Sequence, residues 1–132
     1  MPEAVLRPGV PAPAQYMELR ALCGLGGRSP AAAEAGLPRT VYGVVIEVED
    51  RLIGMGRLIG DGGCFVQVTD IAVHPDWQGC GWGRRIVAAL MSWADAELPS
   101  GCYISLIADA GAERLYEKAG FRYRTGMART VP

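Results

Sequence analysis

Three glycines alternate across Gln78-Gly79-Cys80-Gly81-Trp82-Gly83, directly before a stretch with helical spacing. A helix N-terminus carries unpaired N–H groups and a partial positive charge. Glycines let the backbone adopt positive φ and come close to an anion. Together these features suit a cradle for pyrophosphate, and Arg84 and Arg85 add local positive charge. The plainer reading is a turn joining strand to helix, but a turn does not need three alternating glycines. Two nucleotide patterns fail here. The dinucleotide fingerprint needs a glycine where Arg84 stands, and the P-loop needs Gly-Lys-Ser/Thr, which is absent.

The elements that hold this loop follow from the patterning. Residues 3–7 read as a short strand, and Pro8 to Pro13 as a connector. A helix is expected from Ala14 to Leu22, then a flexible loop over Gly24–Pro30. Ser29 is an N-cap with Pro30 at the first helical position, opening a short helix through Ala35. Val41–Val48, Leu52–Ile59 and Cys64–Val73 are three strands joined by short turns, an antiparallel meander. Pro75 ends the third, because it has no N–H to donate. Apolar residues at Ile86, Val87, Leu90, Met91, Ala94 and Leu98 recur at helical spacing over Arg84–Leu98. A strand over Cys102–Ile107, a short helix over Gly111–Ala119 and a last strand starting at Phe121–Arg124 complete the order β-α-α-β-β-β-α-β-α-β. A mixed sheet with helices on its faces is the natural packing.

Bulk properties narrow the function. The chain has 132 residues, 50% hydrophobic and 20% charged, with a net charge of −1. One domain over residues 1–132 is expected. No global basic field exists to hold nucleic acid, so a phosphate-bearing partner must be held locally. The opening Met-Pro-Glu-Ala-Val-Leu-Arg lacks a basic segment followed by an apolar run, and no stretch approaches membrane-span length, so a cytoplasmic protein without a membrane partner is expected. The four cysteines form no C-x-x-C pair. Free thiols and no metal site are the reading.

The stretch from Asp70 to Gly83 resembles motif A of the GNAT N-acetyltransferase superfamily, Gln/Arg-x-x-Gly-x-Gly/Ala, matched by Gln78, Gly81 and Gly83. Downstream, Leu115, Tyr116, Lys118, Gly120 and Phe121 resemble motif B, Leu-Tyr-x-Lys-x-Gly-Phe. Both motifs in this order, with a helix and a strand between them, are specific. The resemblance implies an α+β (mixed) fold: a mostly antiparallel central sheet with a splayed strand pair, flanked by helices. It implies transfer of an acetyl group from acetyl-CoA to a primary amine by direct attack in a ternary complex.

It also implies roles for particular residues. The backbone of Gln78, Gly79, Cys80, Gly81, Trp82, Gly83 and Arg84 binds the CoA pyrophosphate. Ile71, Ala72 and Val73 lie along the pantetheine arm, their backbone pairing with it and polarising the thioester carbonyl. Tyr116 protonates the departing thiolate, a transfer uphill by about 2 kcal/mol from the ordinary pKa values of tyrosine and thiol. Its alternative is packing beside Leu115. Asp109 stands where relatives carry an asparagine that contacts the cofactor, and Ala112 follows it. Asp109 has a second reading as cap of the next helix.

Removing the proton from an ordinary amine at pH 7 costs about 4.6 kcal/mol, so a base is expected. Asp70 is nearest in sequence to the reactive strand segment, with hydrogen bonding to a neighbouring loop as its alternative. Glu47 is a weaker candidate, and His74, beside Pro75, reads as structural. Cys80 reads as an exposed loop thiol, with a lowered pKa as the alternative.

Substrate choice is expected from Tyr16, the Gly24–Arg28 loop, Tyr42 and the Gly60–Cys64 turn. A small-molecule amine is the default acceptor. The rival function is a non-catalytic acyl-CoA-binding sensor or interaction module. The resemblance makes a homodimer a common assembly, for which the residues carry no signal of their own.

Overall fold

The computed structural model describes residues 2–132. Strands β1 (Ala4–Pro8), β2 (Tyr42–Val48), β3 (Arg51–Gly60), β4 (Phe65–Val73) and β5 (Tyr103–Ser105) form one sheet in that order. The first three pairings are antiparallel, and β4–β5 is parallel. A parallel neighbour needs a crossover, supplied by α3 (Trp82–Glu97). Helices α1 (Pro13–Leu22) and α2 (Pro30–Gly36) precede β2, and α4 (Glu113–Glu117) follows β5. Ser29 caps α2 by accepting from the Ala32 N–H at 3.1 Å.

Two cores lie on opposite faces of the sheet. Ile86, Leu90 and Ala94 of α3 pack on Val44, Ile46, Ile53, Leu58, Val66 and Val68. Tyr16 and Leu19 of α1, with Ala33 and Leu37, pack on Val45, Leu52, Met55 and Ala72. Adjacent β2 residues thus serve different cores, as strand alternation requires.

Strand β4 breaks that alternation. Met55 pairs with Ala72 and Arg57 with Thr69, so Gly56 alone spans Asp70 and Ile71. This is a β-bulge, and Asp70 within it has φ 59°, in the left-handed region that Asp tolerates better than most residues. Val66 and Val68 face α3, but beyond the bulge Ala72 faces α1. Asp70 likewise meets α1, through Tyr16 and Arg20.

Gly56 makes this register possible. A Cβ there would lie 2.5 Å from Ile86 Cγ2 and 2.8 Å from Ile71 Cδ1. We expect Gly56→Val to overpack this junction and cost about 1–3 kcal/mol, read as a lower urea midpoint; an unchanged midpoint would contradict the close packing.

The parallel pairing is short. β4 meets β5 only at Phe65–Tyr103, Val66–Ile104 and Gln67–Ser105. Past Gln67, β4 continues to Val73 while the chain beyond Ser105 leaves the sheet. The two strands therefore splay, as expected.

The last strand expected at Phe121–Arg124 does not form; residues 121–132 are neither helix nor strand. Gly120, at φ 95°, turns the chain after α4, and the Phe121 N–H reaches back to the Tyr116 carbonyl at 3.1 Å. That is a helix-terminating pattern. Phe121 then packs edge-on against Tyr116, with ring centroids 6.1 Å apart, and against the α3-side core. The local cap and this burial outweigh the weak strand propensity of an arginine-rich segment.

Candidate active site

The opening between β4 and the chain after β5 is a cleft of about 250 Å³. Its floor is Gln67, Val68, Thr69, Asp70 and Ile71 of β4. One wall comes from α1 and the loop after it, with Arg20, Leu25 and Arg28. The facing wall carries Leu106, Ile107, Asp109 and Tyr116.

The backbone of β4 is exposed toward the splay. The His74 N–H donates to the Ile53 carbonyl at 2.7 Å, toward β3. By strand alternation Ala72 points the same way, and Val73 directs its N–H and C=O groups to the opposite edge, where β5 no longer pairs. The Val73 carbonyl there accepts from Gln78 Nε2 at 2.9 Å and from Cys23 Sγ at 3.2 Å. Gln78 thereby fastens the glycine loop to the strand end.

Gly79 and Gly81 sit at φ 79° and 88°, conformations that strain any residue with a Cβ. Gly81 is the N-cap of α3, with no side-chain cap and no acid in the first turn. The first-turn N–H groups therefore lack an intrahelical or capping partner. A Cβ on Gly79 or Gly81 would meet nothing within 4 Å, so open space lies before the loop. Trp82 begins α3 and stacks beneath the Arg85 guanidinium, 4.3 Å from its ring centroid. Arg84 and Cys80 are exposed, and the Cys80 thiol lies 3.7 Å from the Gln78 carbonyl. All four cysteines are free.

Tyr116 is half-buried. Burial pushes its phenol above the ordinary tyrosine value, and the Asp109 charge raises it further. The hydroxyl is therefore neutral, and able to donate a proton, throughout the neutral range.

A family model for the GNAT acetyltransferase domain matches residues 39–123. The chain belongs to the GNAT acetyltransferase family. A crystal structure of a protein of unknown function from methicillin-resistant Staphylococcus aureus, described as a probable acetyltransferase, is 37% identical, with a TM-score of 0.92 over 98% of this chain and 100% of that one. A GNAT family protein from Streptococcus pneumoniae, at 19% identity and TM-score 0.77, shares the fold over 98% of both chains. An uncharacterized N-acetyltransferase, ycf52, of Pyropia yezoensis is 30% identical over 57% of this chain. The match spans 42% of that relative's own length.

Within the GNAT domain, Asp70 is not the free carboxylate expected of a base. It is 8% exposed and pairs with Arg20 and with Arg57, the latter at 2.9 Å, while the Tyr16 hydroxyl donates to it at 2.9 Å. Two guanidiniums and a phenol occupy its carboxylate oxygens, so neither is left open toward the cleft to take a proton from an amine. Nor does it bond only to a loop: it ties α1 to β3 and β4.

Other expectations change as well. Glu47 pairs with Arg7 at 2.6 Å on the β1–β2 side of the sheet, away from the cleft. His74 is buried, its Nδ1 accepting from the Asp76 N–H at 3.1 Å, a structural setting. Asp109 does not cap α4: Ala112 holds the N-cap position without a side-chain bond, and Asp109 lines the cleft with Tyr116. Tyr42 stacks on Trp93 of α3 with centroids 4.6 Å apart, on the other face of the sheet. The Gly60–Cys64 turn is organised by Asp61, whose carboxylate accepts from the N–H groups of Gly63, Cys64 and Phe65, and it does not line the cleft.

Sequence reasoning missed Arg20, Arg57, Gln67 and Thr69. One signal was present for Arg20. It shares the Tyr16–Leu19–Cys23 stripe of α1, where a charge on an otherwise apolar face needs a buried partner.

Proposed function

We propose that this GNAT domain transfers the acetyl group of acetyl-CoA to the primary amine of a small molecule. One juxtaposition carries the reading: the uncapped, glycine-led N-terminus of α3 continues the unpaired backbone edge of β4, and that edge borders the cleft containing Tyr116.

The residues present fit CoA. Positive-φ glycines with open space before them, and first-turn N–H groups without a cap, suit a pyrophosphate. The free edge at Ile71–Val73 suits an extended amide-bearing arm, held as an added strand. Acetyl-CoA, when bound, supplies an activated thioester; the overall exchange makes a carbon–nitrogen bond, breaks the carbon–sulfur bond and yields a free thiol. The N–H groups of the β4 edge favour negative charge developing on the carbonyl oxygen. Tyr116 gives its phenolic proton to the departing sulfur and regains one from solvent. The amine attacks in its neutral form, having lost one proton to solvent first, and its nitrogen gives a second to solvent as the amide forms, which balances the proton that Tyr116 regains.

The direct test is thiol release from acetyl-CoA against an amine panel. Tight acetyl-CoA binding with no thiol release above background would leave an acyl-CoA sensor and end the enzymatic reading. For the cradle, Gly81→Val is expected to raise the acetyl-CoA Kd about tenfold, because the α3 N-cap needs φ 88° and a loop that shifts loses aligned donors. Calorimetry reads this; an unchanged Kd would remove the loop from the binding site.

A further inference from the structure

We infer that the acceptor is a small amino acid or close analogue, whose carboxylate is held by Arg28 and whose amine is presented on the side of Asp109 and Tyr116. The inference rests on the acetyl-transfer reading and names its acceptor class.

The charges that border the cleft fall into two groups. Asp70, Arg20 and the adjoining Arg57 are spent on one another: Asp70 receives both guanidiniums, Arg20 also donates to the carbonyls of Gly26 and Leu25, and Arg57 to Thr40. This cluster holds two cations against one anion, with Tyr16 neutral: burial and the Asp70 charge raise its phenol pKa. It leaves a net positive field under the α1 wall.

The other group is uncommitted. Arg28, on that same wall, makes one bond, to the carbonyl of its neighbour Gly27. Asp109, on the facing wall, has a carboxylate with no hydrogen bond or ion pair among the described residues, yet its charge is felt at Tyr116. A cation and an anion stand on opposite walls of one small cleft without meeting. That pattern complements a ligand with both charges, anionic end toward Arg28 and ammonium toward Asp109. The field of the buried cluster reinforces the same polarity.

Size and lining agree. At about 250 Å³, the cleft equals roughly eight waters at ~30 Å³ each, enough for a small molecule. Gln67 and Thr69 on the floor add hydrogen-bonding groups of the kind that orient a polar ligand. The arrangement also brings the amine to the wall that holds the proposed proton donor. Asp109 attracts the ammonium form, and the amine gives its proton to solvent as it turns toward the thioester.

The experiment compares acetyl-CoA turnover and binding for matched pairs: each amino acid against the amine that lacks only its carboxylate. The expected result is a kcat/KM higher for the amino acids by about tenfold or more, the range for a charge-assisted hydrogen bond. Arg28→Ala should collapse that ratio toward one, and Arg28→Glu should invert it. A phosphorylated amine in the panel separates a carboxylate from any other anion: equal or better turnover with it would overturn the amino-acid assignment. Equal rates within pairs, or an Arg28 substitution that lowers both members alike, would overturn the inference while leaving acetyl transfer intact. Calorimetric titration of the amino acids into the protein saturated with CoA reads the same preference without turnover, and no preference there counts against it. If acetyl-CoA itself fails to bind, the acetyl-transfer reading falls and takes this inference with it.

Discussion

Replacing Tyr116 by phenylalanine is expected to lower kcat by about a hundredfold or more, the scale of a lost general acid, while the acetyl-CoA Kd stays within about threefold. The reasoning is geometric. The phenol hydroxyl makes no hydrogen bond among the described residues, so its removal strands no buried partner. The ring keeps its edge-on contact with Phe121, so packing survives. Equal losses in kcat and cofactor affinity, or a lowered thermal midpoint, would assign Tyr116 to packing instead. The pH profile adds a second check. The Tyr116 pKa is raised by burial and by Asp109, so the phenol stays protonated beyond pH ~10. Turnover should climb as the amine loses its proton, without a descending limb below that pH. The sign for stability follows: a raised folded pKa contributes stability that is present below the unfolded value and lost as pH rises through the folded one. Tyr16, raised by burial and by Asp70, acts in the same direction, so the fold should weaken only in strong alkali.

Asp70→Asn is expected to destabilise the fold by about 3–5 kcal/mol, the usual cost of leaving buried charges without a partner. Arg20 and Arg57 are 5% and 8% exposed, and no other carboxylate pairs with them among the described residues. Asparagine tolerates left-handed φ at least as well as aspartate, so the substitution isolates the charge from the bulge. Urea unfolding measures the effect. A base at this position predicts the opposite pattern: a normal midpoint with a rate lost chiefly at low pH. That outcome would restore Asp70 to the chemistry.

Helices α1, α2 and α3, the three-strand meander and the position of β5 were legible because each rests on local patterning. The ends were less so. β5 shrank to Tyr103–Ser105 because its pairing ends where β4 diverges. The strand after α4 failed because Gly120 and Phe121 close the helix and bury the ring, a competition between a local cap and an edge pairing that propensity does not resolve.

The division between sequence and tertiary structure is sharpest at the site. The proposed anion cradle rests on a few consecutive residues: glycines that accept positive φ, followed at once by a helix N-terminus. Spacing alone therefore points to it. The neighbours of Asp70 are 54 residues away at Tyr16, 50 at Arg20 and 13 at Arg57. No local rule joins these positions, and a one-residue bulge decides which face of the sheet Asp70 occupies. Likewise, Arg28 and Asp109 become opposite walls of one cleft only because β4 and β5 part after three pairs. Folding turned an expected base into a structural anchor, and it left two distant, uncommitted charges facing the place proposed for the acceptor.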